Sequence, residues 1–282
     1  MASRRGEDLV QEVLSRLQQS LDAQLSLLLH AVTPEGVHKT RICIRRLRVA
    51  LRTMKHQLRP PQRKRYLLAL RRFSSDLERA REAVALESAA KALIEHSIIV
   101  DHSQVPALLS VLATERTRSR QELRKLIATR GWRRRAAQIA RYSSEHLTID
   151  PSATSLLTIR DIIARRQRRL RTALRNVGSK PHKLHRLRLR IKQTRYLDED
   201  FGSLLSQSPD RELKRLRQLQ DRLGELHDNF NLRKWLRSQS ANQALARNLC
   251  GALDARQAQL LKAIDHLSKM LRKDPTNLEI AA

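Results

Sequence analysis

Glycine and proline, the residues that most often interrupt regular structure, are scarce in this sequence. The chain has 282 residues, of which only 7 are Gly and 8 are Pro. Few positions can therefore act as turns, and we expect long helices joined by short connections. The residues between these breaks are largely Leu, Ala, Arg and Gln, which favour the helix. The composition thus predicts an all-α fold.

Cysteine and aromatic residues are also rare. Cys43 and Cys250 are too few for a disulfide framework, and neither has a second Cys at the spacing of metal ligands. Phe, Trp and Tyr together make up 3% of the chain. So few rings argue against a surface on which the bases of single-stranded nucleic acid stack. We expect a protein of a reducing compartment.

Long apolar runs are missing as well. The most apolar stretch, Leu25 to Leu29, is far shorter than the roughly 20 residues that span a bilayer. The basic residues near the N-terminus are followed by Glu7 and Asp8, where a signal peptide would have its apolar region. These patterns predict a cytoplasmic protein with no membrane span.

Positive charge is what the sequence has in excess. Lys and Arg number 57 against 28 Asp and Glu, which gives a formal net charge of +29. A compact state with so much charge of one sign repels itself unless an anion neutralises part of it. Hydrophobic residues make up 40% of the chain, too many for a disordered basic tail. We therefore expect a folded protein with a polyanionic partner.

Apolar periodicity and the proline positions predict where the helices lie. Thr33 is expected to cap a helix that has Pro34 at its first position. The predicted helices cover residues 7–31, 34–58, from after Pro61 to about 94, 106–129, 132–142, 153–176, 181–205, 209–238 and 242–273. The polar stretch from Ser143 to Ser155 contains Asp150 and Pro151. It predicts a boundary between two units, residues 1–145 and 146–282.

The two predicted units share a repeated pattern. Residues 37–49 read VHKTRICIRRLRV and residues 184–196 read LHRLRLRIKQTRY. The matching pairs, each 147 positions apart, are His38 with His185, Arg41 with Arg188, Arg45 with Lys192, and Arg48 with Arg195. A ladder of apolar residues further on, from Leu67 to Leu77, matches Leu213 to Leu223 at an offset of 146. The repeat predicts two pseudo-symmetric antiparallel helical bundles.

The first copy of the pattern forms a basic stripe along one side of a predicted helix. Its members recur at intervals of three and four residues, which places them on one face: His38, Arg41, Arg45, Arg48 and Arg52. At about 1.5 Å per residue this stripe is roughly 21 Å long. No Asp or Glu lies between residues 37 and 59, although eight Lys and Arg do. Arg can grip two phosphate oxygens at once, so the stripe indicates phosphate binding.

Together, the motifs VHKTRICIRRLRVALR, LHRLRLRIKQTRY and LKRLRQLQDRLGELHD resemble the CHAD family, the conserved-histidine α-helical domain. The resemblance covers about residues 7–273. It implies two pseudo-symmetric four-helix bundles whose basic helices line a central groove or pore that binds inorganic polyphosphate, and an association with polyphosphate granules. The site residues that it implies are His38, Arg41, Arg45, Arg46, Arg48, Arg52, His185, Arg188, Lys192 and Arg195.

Three features of the chain depart from the family pattern. Gln193 lies where a second basic residue is common, and Glu78 lies where the first half often has Gly. Asp198, Glu199 and Asp200 follow the second stripe, which consists of the matching residues His185, Arg188, Lys192 and Arg195. The two halves are therefore expected to contribute unequally to binding.

Three other interpretations remain open at this point. The stripes could be solvated faces of a very basic protein. The partner could be nucleic acid, since duplex DNA and RNA are also linear polyanions. A metal-dependent phosphohydrolase with His ligands is a third alternative. The sequence contains no Gly-rich phosphate loop, no paired catalytic carboxylates and no nucleophile motif, so we expect a binding protein with no cofactor and no enzymatic activity.

Overall fold

The chain folds into α-helices, as its composition predicts. The computed structural model describes residues 2–96, 105–145, 149, 156–201, 210–238 and 243–273. In these ranges the helices are α1 (Ala2–His30), α2 (Pro34–Thr53), α3 (Pro60–Asp76), α4 (Glu78–His96), α5 (Val105–Ala128), α6 (Arg130–Glu145), α7 (Leu156–Arg175), α8 (Pro181–Phe201), α9 (Asp210–Ser238) and α10 (Gln243–Lys273). No strand occurs in the same ranges, where the one β-bridge joins Leu58 to Ile149. The all-α fold is confirmed.

The start of α2 is fixed by the predicted cap. The hydroxyl oxygen of Thr33 accepts a hydrogen bond of 3.0 Å from the backbone N–H of Gly36, and Pro34 occupies the first turn. Each feature satisfies or removes a donor that the first turn of a helix leaves unpaired. The cap sets where the helix begins, and therefore which residues share each of its faces.

Helix α2 ends earlier than predicted. It stops at Thr53, not near Leu58, and Met54 N donates to Ala50 O over 2.9 Å as the helix closes. Leu58 is buried and its backbone pairs with Ile149, which is far away in the sequence. This tertiary contact holds the segment before Pro60 in a non-helical conformation.

The long helix predicted from after Pro61 to about residue 94 is wrong, because the structure divides it at Leu77. A guanidinium nitrogen of Arg41, Nη1, donates to the backbone oxygen of Ser74 over 2.8 Å. In a continuous helix that oxygen would accept from the N–H four residues later. A side chain inserted into this ladder is a recognised cause of a helix break. Helices α3 and α4 therefore meet at the point where Arg41 docks.

Three clusters of buried apolar side chains hold the helices together. The first is built mainly from α1, α2, α3 and α6, with further side chains from α4, α5, α7 and α8. It includes Phe73 and Trp132, whose ring centroids are 4.9 Å apart. The second joins α4 and α5 to α9 and α10. The third joins α7, α8, α9 and α10. Packing therefore ties the first part of the chain to the last.

The predicted division into residues 1–145 and 146–282 lies at a segment that is largely outside the described residues. Two of the three clusters combine side chains from both sides of it: Ile159 and Phe201 join the first cluster, and Leu93 packs with Leu232 in the second. The division and the internal repeat stay predictions. The four helices that surround the site come from both sides of the boundary.

Candidate functional site

The basic stripe of α2 lies beside the face that this helix buries. Val37, Ile44, Leu47 and Leu51 are in the core. Because the stripe residues are offset from these positions by about one residue, they lie on the flank of the buried face. That flank faces α4 and α8, with which α2 is in contact.

Arg41 is the stripe residue that the structure fixes most firmly. Its side chain is buried, and besides the bond to Ser74 its Nη2 lies 2.9 Å from Oε2 of Glu78. Glu78 opens α4, immediately after the break at Leu77. Glu78 thus pairs with a cation of the basic stripe and orients its guanidinium. The fixed Arg41 holds α2 against the junction of α3 and α4.

Four helices enclose the region where the two basic stripes meet. Helix α2 is in contact with α4 and α8, and α9 is in contact with the same two helices. Each of the four contributes charged or titratable side chains to the enclosed region. These residues, which we call the central cluster, are His38, Arg41, Arg45, Arg81, His185, Arg188, Lys192, His227 and Asp228.

The central cluster brings cations of both stripes close enough to repel one another. The pKa of Lys192 is lowered to about 7, first by burial and then by the positive charges of Arg188, Arg45 and Arg81. Asp228 opposes this shift but does not cancel it. A lysine with this pKa loses much of its charge near neutral pH. The site therefore holds more positive charge than its own acids neutralise.

The histidines of the site respond to the same environment. Partial burial, followed by the charge of Arg188, lowers the pKa of His227 to about 4. Partial burial and the charges of Arg81, Arg45 and Lys192 also lower the pKa of His38. The rings of His185 and His227 lie with their centroids 5.4 Å apart. Near neutral pH His38 and His227 are therefore largely uncharged.

An ion pair and two cavities lie at the edge of the central cluster. Arg81 on α4 and Asp228 on α9 approach within 3.4 Å. Both line a cavity of about 290 Å³. Asp228 also lines a second cavity of about 370 Å³, together with Lys192 and Arg256. The cluster thus adjoins space large enough for small anionic groups.

The α2 stripe continues away from the central cluster. Arg48 is half-buried and Arg52 is exposed. Burial lowers the pKa of Arg48, and the nearby charges of Arg52, Arg45 and Arg71 lower it further. These residues form a line of cations that runs from the cluster towards the surface.

Arg46 and Arg195 have acidic partners. Nε of Arg46 lies 3.1 Å from Oδ1 of the buried Asp200, and its Nη1 lies 3.6 Å from Glu199. Nε of Arg195 lies 3.1 Å from the same Glu199, and its guanidinium carbon lies 5.6 Å from the centre of the Tyr196 ring. Glu199 and Asp200, two of the acids that follow the second stripe, are therefore largely neutralised by these two arginines.

Three members of the central cluster, Arg81, His227 and Asp228, were not among the predicted site residues. They come from the segments LERARE and LGELHD, which match at the offset of 146 found for the apolar ladder. Extending that offset from the apolar residues to their polar neighbours is the signal that could have found them. Only the tertiary structure brings them beside the stripes.

Two negative findings concern the described residues. In that part of the chain, no group of three or more His, Cys, Asp or Glu side chains is arranged to hold a metal ion. Every helix there is too short or too polar to cross a bilayer.

Comparisons with known proteins agree with this architecture. The family model described as the CHAD domain matches residues 10–237. The crystal structure of the CHAD domain from the plant Ricinus communis is similar, with a TM-score of 0.75 and 19% identity over 94% of this chain and 91% of that one. PptA from Streptomyces chartreusis has a TM-score of 0.73 and 19% identity over 94% of this chain and 98% of that one. No curated protein sequence matches the chain.

Proposed function

The chain belongs to the CHAD domain family, and from this premise we propose that it binds inorganic polyphosphate in the region enclosed by α2, α4, α8 and α9, without catalysing a reaction. The observation that carries the proposal is the central cluster, in which cations of both stripes converge on one enclosed space. The resemblance of the sequence to this family implies the same ligand.

The charge balance of the cluster supports an anionic ligand. The acid of Glu78 is engaged by Arg41, and Asp228 is engaged by Arg81. Arg45, Arg188 and Lys192 form no ion pair with any described residue. Grouping such cations is costly, because burial and mutual repulsion both disfavour the charged form. A bound anion removes the repulsion, and each phosphate oxygen also accepts hydrogen bonds.

Two hydrogen-bond donors without acceptors also support an anionic ligand. The Nε atoms of Arg48 and Arg188 are buried and find no acceptor among the described residues. Buried polar groups are normally hydrogen-bonded, so these two donors call for acceptors. A chain of phosphate groups passing along α2 and α8 offers an oxygen to each.

The length of the α2 stripe favours a chain of phosphates over a single ion. From His38 to Arg52 the stripe spans roughly 21 Å at about 1.5 Å per residue. The cations along it are arranged in a line, from the enclosed cluster to the exposed Arg52. A linear polyanion can contact all of them at once.

Nucleic acid is the competing ligand, and its shape argues against it at this site. A duplex is a broad cylinder with its phosphates on the outside, whereas the central cluster is surrounded by four helices. Single strands are usually held by stacking on aromatic rings, and aromatic residues make up only 3% of the sequence. A bare chain of phosphates needs neither a wide groove nor stacking.

The test is a titration that compares the wild type with two matched variants. The central variant carries Arg45→Gln, Arg188→Gln and Lys192→Gln. The control variant carries Arg124→Gln, Lys125→Gln and Arg130→Gln, three exposed residues outside the cluster. Each variant replaces two Arg and one Lys, so the loss of formal charge is the same. Circular dichroism verifies that both are folded.

We expect the central variant to lose at least tenfold in affinity for polyphosphate, while the control variant changes much less. Equal losses in the two variants would show that binding depends only on net charge and would overturn the site. Tighter binding of duplex DNA than of polyphosphate in direct competition would favour the nucleic-acid alternative. Release of orthophosphate that a chelator abolishes would identify a metal-dependent phosphohydrolase.

A further inference from the structure

Helix α8 has basic residues on two opposite sides. His185, Arg188 and Lys192 face the central cluster. Arg190 lies two residues from both Arg188 and Lys192, which is about 160° away around a helix with 3.6 residues per turn. Lys183 lies near Arg190 on this second side. The second side faces α7 and the outside of the molecule, away from the central cluster.

A cleft lies on this outer side, between α7 and α8. Its volume is about 280 Å³. Its lining includes Thr172 of α7 and Asn176, the residue that follows α7, and α8 contributes Lys183, Arg186 and Arg190. Hydroxyl, amide, ammonium and guanidinium groups all donate hydrogen bonds, so the polar side chains around the cleft are rich in donors.

The two walls of the cleft are tied together by a hydrogen bond. Nη1 of Arg190 donates to the backbone oxygen of Arg169 over 3.1 Å. This bond uses one of the five N–H groups of the guanidinium and holds its plane at the edge of the cleft. The other donors of Arg190 are left for a ligand.

The positive charge around the cleft has no internal compensation. Between residues 162 and 197 the sequence contains thirteen Lys and Arg and no Asp or Glu. Lys183 and Arg186 are exposed, and within the described residues neither they nor Arg190 form an ion pair. These three lie three and four residues apart, where like charges repel by a few tenths of a kcal/mol per pair. Some exposed cations elsewhere do have an acidic partner, as Arg79 has in Glu122.

We propose that this outer cleft is a second phosphate-binding surface, so that one molecule holds two segments of polyphosphate on opposite sides of α8 and crosslinks long chains. The proposal rests on the proposed function of the central cluster. The donors, two of them Arg with planar forks, match phosphate oxygens. The residues that line the cleft include no aromatic ring, and its concave shape suits a narrow chain of phosphates better than the convex backbone of a duplex.

A molecule with two binding surfaces can link polyphosphate chains, whereas a molecule with one surface cannot. When a molecule binds two segments, it joins two chains or two distant parts of one chain. With long polyphosphate, the mixture then forms large assemblies at low salt. With chains too short to reach from one surface to the other, each surface fills independently.

The first measurement is the number of short polyphosphate chains bound per protein, by native mass spectrometry and calorimetry. The outer variant carries Lys183→Gln, Arg186→Gln and Arg190→Gln, and the central and control variants are those defined above. We expect two chains on the wild type and on the control variant, and one on the outer variant and on the central variant. A second outer variant, Lys183→Gln with Arg186→Gln, keeps the hydrogen bond from Arg190 to Arg169. It provides the same test if the triple outer variant does not fold.

The second measurement is light scattering with long polyphosphate. The wild type and the control variant are expected to scatter strongly, and the outer variant to bind long chains without scattering. One short chain on the wild type, lost only in the central variant, would overturn the second surface and leave the proposed function standing. No chain on the wild type would overturn the proposed function itself. An outer cleft that takes up duplex DNA but no short polyphosphate would overturn the choice of ligand.

Discussion

Arg46 on α2 holds the carboxylate of Asp200, a buried residue near the end of α8. Its Nε lies 3.1 Å from Oδ1, and the two residues are 154 positions apart in the sequence. Arg16 on α1 donates to the backbone oxygen of the same Asp200 over 2.9 Å. This contact joins three helices and gives Arg46 a partner that its neighbour Arg45 lacks.

The first prediction separates these adjacent arginines. Arg46→Gln is expected to destabilise the protein by about 1–3 kcal/mol, since it leaves Asp200 buried without its cation. The same change is expected to alter polyphosphate affinity little, whereas Arg45→Gln weakens it clearly. Chemical denaturation and a binding titration measure the two effects. The double variant Arg46→Gln with Asp200→Asn should recover part of the stability. A loss of affinity from Arg46→Gln as large as that from Arg45→Gln would contradict this assignment.

The second prediction concerns proton uptake at Lys192, whose pKa is about 7 in the ligand-free protein. A bound phosphate favours the charged ammonium and raises this pKa, so protons are taken up on binding near neutral pH. Affinity is therefore expected to fall as pH rises through about 7. Calorimetry in buffers of different ionisation enthalpy measures the uptake. Lys192→Met should remove most of it, and an unchanged uptake in this variant would assign the proton to another group.

The third prediction concerns the unequal halves. We expect the triple change of Arg41, Arg45 and Arg48 to Ala to weaken binding more than the triple change of Arg188, Lys192 and Arg195 to Ala. In the second set, Arg195 is paired with Glu199 and Lys192 is only partly charged near pH 7. Fewer free charges are therefore lost. Titrations of both variants test this, with circular dichroism as the control because Arg41 also holds Ser74. Equal losses would indicate a symmetric site.

The fourth prediction is that polyphosphate stabilises the fold. A ligand that binds only the folded state adds about 2.7 kcal/mol when its free concentration is one hundred times the Kd. Thermal melting should therefore show a higher midpoint with polyphosphate. Polyphosphate should raise the melting midpoint of the central variant much less than that of the control variant. A midpoint that saturating polyphosphate leaves unchanged in the wild type would exclude the central cluster as the site.

The fifth prediction concerns chain length and salt. Binding should tighten with the length of the polyphosphate until the basic stripe is filled, because each added phosphate meets further cations. It should weaken steeply as salt is added, because salt screens the attraction and opposes the release of counterions. Titrations with chains of defined length at several ionic strengths test both trends. Equal affinities for orthophosphate and long chains would contradict an extended site.

Several features of the fold could be predicted from residues close together in the sequence. Thr33 and Pro34 identified the start of α2, and the structure confirms the cap. The spacing of His38, Arg41 and Arg45 placed them on one side of that helix. Caps and periodicity depend on interactions within one or two helical turns, so the sequence carries them directly.

Other features depend on partners that are distant in the sequence. Nothing near Leu77 marks the break between α3 and α4, because Arg41, 33 residues before Ser74, causes it. The acidic partners of Arg46 lie near the end of α8, far from Arg46 in the sequence. The sequence therefore offered no reason to distinguish Arg46 from its neighbour Arg45, and both were predicted to contact phosphate. By themselves, the sequences of α4 and α9 do not identify Arg81 and His227 as site residues.

The sequence by itself determined the helical class, the excess of positive charge, the residues that share each helix face, and the resemblance to the CHAD family. The tertiary structure decided which faces meet, and therefore which cations remain without acidic partners. Arg45 and Arg46 are neighbours with the same side chain, yet one faces the central cluster and the other faces Asp200. The physical reason is that desolvation and ion pairing depend on distance in space, and packing brings together groups that the sequence keeps far apart.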